Sequence, residues 1–311
     1  MFEANSGFIV GDEDVVVVDG GSNPASAREV LAALRKVTRK PVRYVINTHW
    51  HGDHVAGNQV YRDSFPGVEL VAHATARADM ATEGATARKQ FVEFAPGTVA
   101  SLRDMMKQNK GLEGGRLSAE ERESHLTTIA LAEHALAEAP GLHPTLPTLL
   151  LEERLTLVRG ERTIDVRYLG RAHTRGDVVV HLPREGIVFA GDLVASPVPL
   201  VGTTSFPLDF GATLERLLDL KAATLVPGHG AVLHDDSYVR LLVRLLASIK
   251  GQTEAAVARG ETLEQARKSV DLGEFRTAIA GESKVRNLLF SQYVAGPAVA
   301  RAYEAAKARG R

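Results

Sequence analysis

Short β-branched runs separated by polar turns open the chain. GFIVGDEDVVVVDGG, residues 7–21, holds two such runs around a Gly-Asp-Glu-Asp turn and predicts a hairpin closed by Asp19-Gly20-Gly21. The period then changes: in NPASAREVLAALRKVT, Asn23 can cap a helix, Pro24 suits its first position, and apolar residues follow at helical spacing. VRYVINT (42–48) and VELVAH (68–73) return to strand character, with a short helix expected over residues 54–60 between them. From residue 74 to 147 the chain is rich in Ala, Glu, Arg and Leu, includes LSAEERESHLTTIALAEHALAEA, and ends at the proline-spaced PGLHPTLP. This segment predicts a helical insertion. The β pattern resumes in LTLVRGERTIDVRYLG, a second hairpin, in DVVVHLP and GIVFAGDL, and after a helix in TLVPGHG. Residues 237–311 read as mostly helical, with breaks at Gly260, Gly273 and Gly296-Pro297.

Strands, helix, strand, insertion, strands, helix, strand and helices, in that order, suit an α/β sandwich of two sheets with helices outside better than a regularly alternating doubly wound sheet. A single domain over 1–311, carrying the 74–147 insertion and the 237–311 helical segment, is the expected organisation. Composition keeps this within the globular range, with 44% hydrophobic and 24% charged residues. No run of about 18 apolar residues is present, so no membrane span is expected. A net charge of -1 gives no basic field for a phosphate backbone, which disfavours nucleic acid as a partner and leaves a small molecule as the expected one. The N-terminal residues lack a secretory pattern, which makes the cytoplasm the default compartment, with the periplasm open should a leader precede the quoted start.

Cysteine is absent, so thiolate nucleophiles and thiolate metal ligands are excluded together, and any metal must be held by nitrogen and oxygen. THWHGDH (48–54) then stands out, placing His49, His51, Asp53 and His54 directly after a strand. Three other strand ends carry related groups: His173 in GRAHTRGD, Asp192 in FAGDL and His229 in VPGHGAV. An isolated H-x-H is weak evidence, and AGD or GHG alone is ordinary turn chemistry. The combination is much more specific. Imidazole and carboxylate suit zinc, and also iron or manganese. Seven such ligands exceed the needs of one catalytic zinc and fit two ions that share one carboxylate. Among the other histidines, His181 reads as packed on a strand face, His73 as a strand-end residue that could support the site, and His125, His134, His143 and His234 as surface groups. Trp50 suits either the pocket wall or packing beneath the loop, and Met105-Met106 reads as helix core.

With THWHGDH, AHTRGD, GDL and GHG in place, the sequence resembles the metallo-β-lactamase superfamily over roughly 7–73 and 150–235. The resemblance implies an αββα sandwich with two Zn2+ at one edge. It assigns His49, His51 and His173 to one ion, Asp53, His54 and His229 to the other, and Asp192 to the bridge. It implies a hydrolase in which a metal-bridging hydroxide attacks an ester, lactone, thioester or amide, with Asp53 orienting the nucleophile and collecting its proton. Asp192 stands where true β-lactamases carry Cys or Ser, so β-lactam turnover is expected only as a side activity. The arrangement is also similar to the SoxH-type branch. Rival implications are a non-heme iron dioxygenase of the persulfide type on the same fold, or a phosphodiesterase. The 74–147 insertion is expected either to cap the cleft and select substrate or to form a homodimer contact.

Overall fold

The computed structural model describes residues 3–309. Contacts divide the chain into two compact units, which meet between Leu151 and Glu152.

The first unit contains β1 (Gly7–Val10), β2 (Val15–Val18), α1 (Pro24–Val37), β3 (Val42–Ile46), α2 (Gly52–Val55), α3 (Asn58–Ser64), β4 (Glu69–His73), α4 (Ala74–Ala81), α5 (Glu83–Lys107), α6 (Ala119–Glu138) and β5 (Leu149–Leu151). The strands form one sheet in the order β1-β2-β3-β4-β5. The β1–β2 pair is the expected antiparallel hairpin, and the remaining pairs are parallel. All four valines of β2 are buried, as an inner strand covered on both faces requires. Helix α1 starts as its sequence predicts, with Pro24 in the first turn and a reciprocal capping box between Asn23 and Ser26. Its Ala27 and Leu34 pack with Val15, Val17, Val45, Tyr61 and Leu70 in the core under the sheet.

The second unit contains β6 (Arg154–Arg159), β7 (Arg162–Tyr168), β8 (Val178–Leu182), β9 (Ile187–Ala195), α7 (Pro207–Leu218), β10 (Thr224–His229), α8 (Ser237–Ala258), α9 (Leu263–Ser269), α10 (Gly273–Ala280), α11 (Lys284–Phe290) and α12 (Gly296–Arg309). Its sheet runs β10-β9-β8-β7-β6, antiparallel throughout except for the β9–β10 pair. Val179, Val188 and Ala190 of this sheet pack with Leu214 and Leu217 of α7, Leu242, Leu245 and Ile249 of α8, and Val299 of α12. The C-terminal segment breaks close to the expected places. Gly260 has a φ of 74° after α8, α10 begins at Gly273, and a π-helical turn over Ser291–Ala295 runs into α12 at Gly296.

Several local expectations need correction. The single short helix over 54–60 is two helices, α2 and α3, interrupted where Gly57 passes so close to the Gly20 carbonyl that a Cβ would sit 2.1 Å from its oxygen. Strand β3 stops at Ile46, because Asn47 and the residues after it belong to the histidine-rich loop. Strand β5 carries no signal in the alternation pattern; it is three residues long and is held by parallel pairing to β4. His125 lies in the core of α6, at 4% exposure, not at the surface. His134, His143 and His234 are exposed as expected. Residues 74–147 are largely helical, and Met106 packs with Val99, Leu102, Ile129 and Ala132 between α5 and α6.

Candidate metal centre

In the first unit the ligand-type residues emerge from the C-terminal end of β3. His49 and His54 are fully buried, whereas His51 and Asp53 are half-buried. His51 caps α2 in an extended conformation, which lets Asp53 and His54 turn back in the first helical turn. The His49 ring centroid lies 4.8 Å from that of His51 and 4.2 Å from that of His54. The Asp53 carboxylate is 3.8 Å from His54 Nε2. Trp50 is buried beside Ala72, Ala76 and Met80, so the indole supports the loop from below, with its ring 4.3 Å from that of His51.

The pattern of hydrogen bonds behind these rings fixes their tautomers. Asp19, buried at the end of β2, accepts the Thr48 N–H at Oδ1 (2.8 Å) and the Thr48 hydroxyl at Oδ2 (2.9 Å). Asp19 Oδ2 also lies 2.8 Å from His54 Nδ1, and a carboxylate can only accept there, so Nδ1 bears the proton and Nε2 the lone pair. The Thr48 hydroxyl uses its one hydrogen to donate to Asp19, so its oxygen accepts from His49 Nδ1 at 3.0 Å and leaves His49 Nε2 as the lone-pair nitrogen. Asp19 was missed in the sequence as a site residue. Its signal was the Asp-Gly-Gly that closes the strand; its φ of 59° belongs to the left-handed region that Asp tolerates better than most residues.

The second unit repeats this arrangement. His173 Nδ1 lies 2.8 Å from the Leu200 carbonyl, an acceptor only, so Nε2 is again the lone-pair nitrogen. The loop around it is tied down by Asp177, whose carboxylate accepts the Thr174 N–H (2.7 Å) and hydroxyl (2.8 Å), and burial pushes the Asp177 pKa up. Asp192 meets one histidine at each oxygen: His173 Nε2 is 3.3 Å from Oδ2, and His229 Nε2 is 3.5 Å from Oδ1. Glycine makes this approach feasible, since a Cβ on Gly228 would fall 1.9 Å from Asp192 Oδ1. Between Pro227 and His229 the β9–β10 register slips, so that β10 advances from Pro227 to His229 while β9 advances from Gly191 to Ala195. Asp192 sits in that bulged stretch.

A divalent ion fits these donors. Zn–N and Zn–O bonds of about 2.0–2.1 Å at the tetrahedral angle place neighbouring ligand atoms roughly 3.3 Å apart. The Asp192 contacts match that edge, and the 3.8 Å from Asp53 to His54 is somewhat wider. An acceptor behind the other ring nitrogen, as at His49, His54 and His173, is the usual support of a metal-binding histidine. The first unit thus groups His49, His51, Asp53 and His54, and the second groups His173, Asp192 and His229. Of the remaining histidines, His73 is buried and accepts the Thr75 N–H as the cap of α4, and His181 is packed on β8.

Residues 2–229 match the family described as the metallo-beta-lactamase superfamily. The chain belongs to that superfamily. It is similar to a linear primary-alkylsulfatase from Pseudomonas sp. (strain ATCC 19151), 25% identical over 284 residues that cover 85% of this chain and 49% of that protein. A hydroxyacylglutathione hydrolase from Gloeobacter violaceus (strain ATCC 29082 / PCC 7421) is 41% identical over 68 residues, 21% of this chain and 25% of that one. The chain therefore spans about half the length of the first of these relatives and a quarter of the second. Among solved structures, a metallo-beta-lactamase from Pontibacter korlensis matches with a TM-score of 0.53 at 20% identity, over 78% of this chain and 87% of that one. The mono-zinc form of the metallo-beta-lactamase FIM-1 from Pseudomonas aeruginosa matches at 0.52 and 18%, over 78% and 83%. These likenesses establish the α/β fold of the superfamily, with two mixed sheets and a helical C-terminal segment. Among the described residues, no helix is long and apolar enough to cross a membrane.

Proposed function

We propose that the chain is a zinc-dependent hydrolase of a small-molecule ester, lactone, thioester or amide, and that the donors of both units serve one pair of ions. His49, His51 and His173 would hold one ion, Asp53, His54 and His229 the other, and Asp192 both. The observation that carries this reading is the fixed tautomer of His49, His54 and His173, each with Nδ1 backed by an acceptor and Nε2 left as a donor of electrons. Asp192, with one histidine at each oxygen, supports two ions over the single iron of a dioxygenase.

Bound zinc ions supply two things: they lower the pKa of water toward neutrality, and they polarise an acyl oxygen. The chain's own residues do the rest. His49 and His54 are fully buried and shield the inner side of the centre from solvent. Asp53 is half-buried, open enough to face a substrate, and is the group proposed to orient the attacking water and take its proton. Asp19, Thr48 and the Leu200 carbonyl hold the imidazoles in register so that little reorganisation accompanies the reaction.

The similarity to an alkylsulfatase adds sulfate esters to the substrates worth testing. Elemental analysis of the purified protein, followed by a panel of chromogenic lactam, lactone, thioester, sulfate-ester and phosphodiester compounds, tests the reading. About two zinc per chain and turnover of an acyl compound are expected. His49→Ala and Asp192→Ala should lower metal content and cut turnover by orders of magnitude. A variant that kept both would falsify the assignment.

A further inference from the structure

A cluster of arginines beside the His173 loop is not used by that chemistry. Arg171 lies over the Phe206 ring with its guanidinium carbon 4.8 Å from the centroid, and Arg301 of α12 lies over the same ring at 5.6 Å. Arg171 and Arg309 share Asp209, one at each carboxylate oxygen and both at 2.7 Å. Two guanidinium groups therefore share the Asp209 carboxylate, and a third, that of Arg301, lies over the same ring as Arg171. Among the described residues, no carboxylate pairs with Arg301. Its Nε donates to the Ser205 carbonyl at 3.2 Å, which orients the group and leaves the edge formed by its two Nη atoms facing away from that bond.

The patch is joined directly to the loop of a proposed metal ligand. The Phe206 N–H donates to the Ala172 carbonyl (2.7 Å), and the Thr204 and Ser205 hydroxyls donate to the His173 carbonyl (3.2 and 3.3 Å). Arg301 is exposed. A guanidinium held through Nε keeps its two Nη atoms for the bidentate binding of an oxyanion. Stacking on the ring holds the guanidinium plane and lowers the entropy lost on binding.

We propose that Arg301, steadied by Phe206 and flanked by Arg171, recognises an oxyanion carried by the substrate: a carboxylate, sulfate or phosphate at the end remote from the bond that is broken. This specificity role rests on the hydrolase reading above, while the anion site itself can be tested without it.

The first measurement is calorimetric binding of inorganic sulfate to metal-free wild type, Arg301→Ala and Arg301→Lys, at fixed ionic strength against chloride, with circular dichroism confirming that each variant is folded. Saturable binding should weaken about tenfold in Arg301→Ala, the worth of one charge-assisted fork partly screened by water, and Arg301→Lys should recover only part of it. The second measurement compares mono-4-nitrophenyl glutarate with neutral 4-nitrophenyl butyrate on the zinc-loaded enzyme. The kcat/KM ratio of charged to neutral ester should fall about tenfold in Arg301→Ala, through KM, and sulfate should raise KM for the charged ester alone. If sulfate binds at Arg301 but neither these esters nor any compound of the chromogenic panel turns over, the hydrolase reading fails and the anion site stands. If the esters turn over with an unchanged ratio, if wild type does not bind sulfate, or if sulfate affects both esters equally, the inference is overturned.

Discussion

Asp19→Asn exchanges one oxygen for an amide nitrogen and leaves the shape of a fully engaged residue almost unchanged. Asn also accepts the left-handed backbone at this position, where φ is 59°, so the substitution adds no conformational strain. The hydrogen bonding cannot be preserved. Thr48 N–H needs an acceptor at Oδ1 and His54 Nδ1–H needs one at Oδ2, at 2.8 Å in each case, but an amide offers a single oxygen. With the oxygen toward Thr48, the NH2 group faces His54 and forces its proton onto Nε2, the atom proposed to bind metal. With the oxygen toward His54, a buried peptide N–H meets another donor. Either arrangement should cost about 1–3 kcal/mol of folding stability and weaken binding of the ion held by His54 by about 10–100-fold. Zinc titration against a competing chelator, together with denaturant unfolding, reads both quantities. Because the Thr48 hydroxyl donates to the same Oδ2 and through it sets the His49 tautomer, binding of the ion held by His49 should weaken as well. An Asn variant that bound two equivalents at wild-type affinity would refute the tautomer argument.

Three further outcomes follow from particular contacts. Gly228→Ala puts a Cβ 1.9 Å from Asp192 Oδ1 and 2.7 Å from the Gly191 carbonyl carbon, so metal content should drop along with a stability loss of about 1–3 kcal/mol, seen by elemental analysis and unfolding. His125 has its pKa lowered by burial, an effect that the nearby Glu121 charge partly opposes, and among the described residues its Nε2 has no hydrogen-bond partner. The unfolded chain therefore binds this proton more readily than the folded one. The neutral residue's full contribution is present above its ordinary value of 6.5 and is lost as pH falls below it. His125→Leu should flatten the stability profile on the acid side by up to about 1.4 kcal/mol per pH unit, and an unchanged slope would count against the account. Replacing α5 and α6 by a short linker should alter substrate preference in the chromogenic panel more than zinc content; the opposite result would make the two helices part of the scaffold.

How much of this could be seen in the sequence depends on whether a residue's role is local. THWHGDH, GRAHTRGD, FAGDL and VPGHGAV were legible because each crowds groups that are costly to bury onto a strand end, and the β-branched runs before them mark those strands. Asp19 was visible only as a turn residue. Its function depends on Thr48 and His54, which lie 29 and 35 positions away and meet it only when β2 and β3 pair. His125 was misread because the buried stripe of α6 runs Glu121, His125, Ile129, Ala132, with two polar residues where apolar ones would have marked the face. Glu121 is accommodated there because its carboxylate accepts the N–H groups of Leu112 and Ser118. The three leucines of β5 fit a helix as readily as a strand, and only the neighbouring β4 decides between them. The arginine patch could not be inferred at all, since Arg171, Phe206 and Arg301 are brought together by the packing of α12.

The slipped register between β9 and β10 has an engineering consequence. Side chains on a strand alternate faces, so one residue lost or gained between Gly191 and Ala195 would turn the Asp192 carboxylate to the opposite side of the sheet. Insertions and deletions in that stretch should therefore act as an on–off switch. Attempts to redesign this protein by changing segment length belong in the α5–α6 hairpin, where each helical turn added or removed changes its length by about 5.4 Å without re-aiming Asp192.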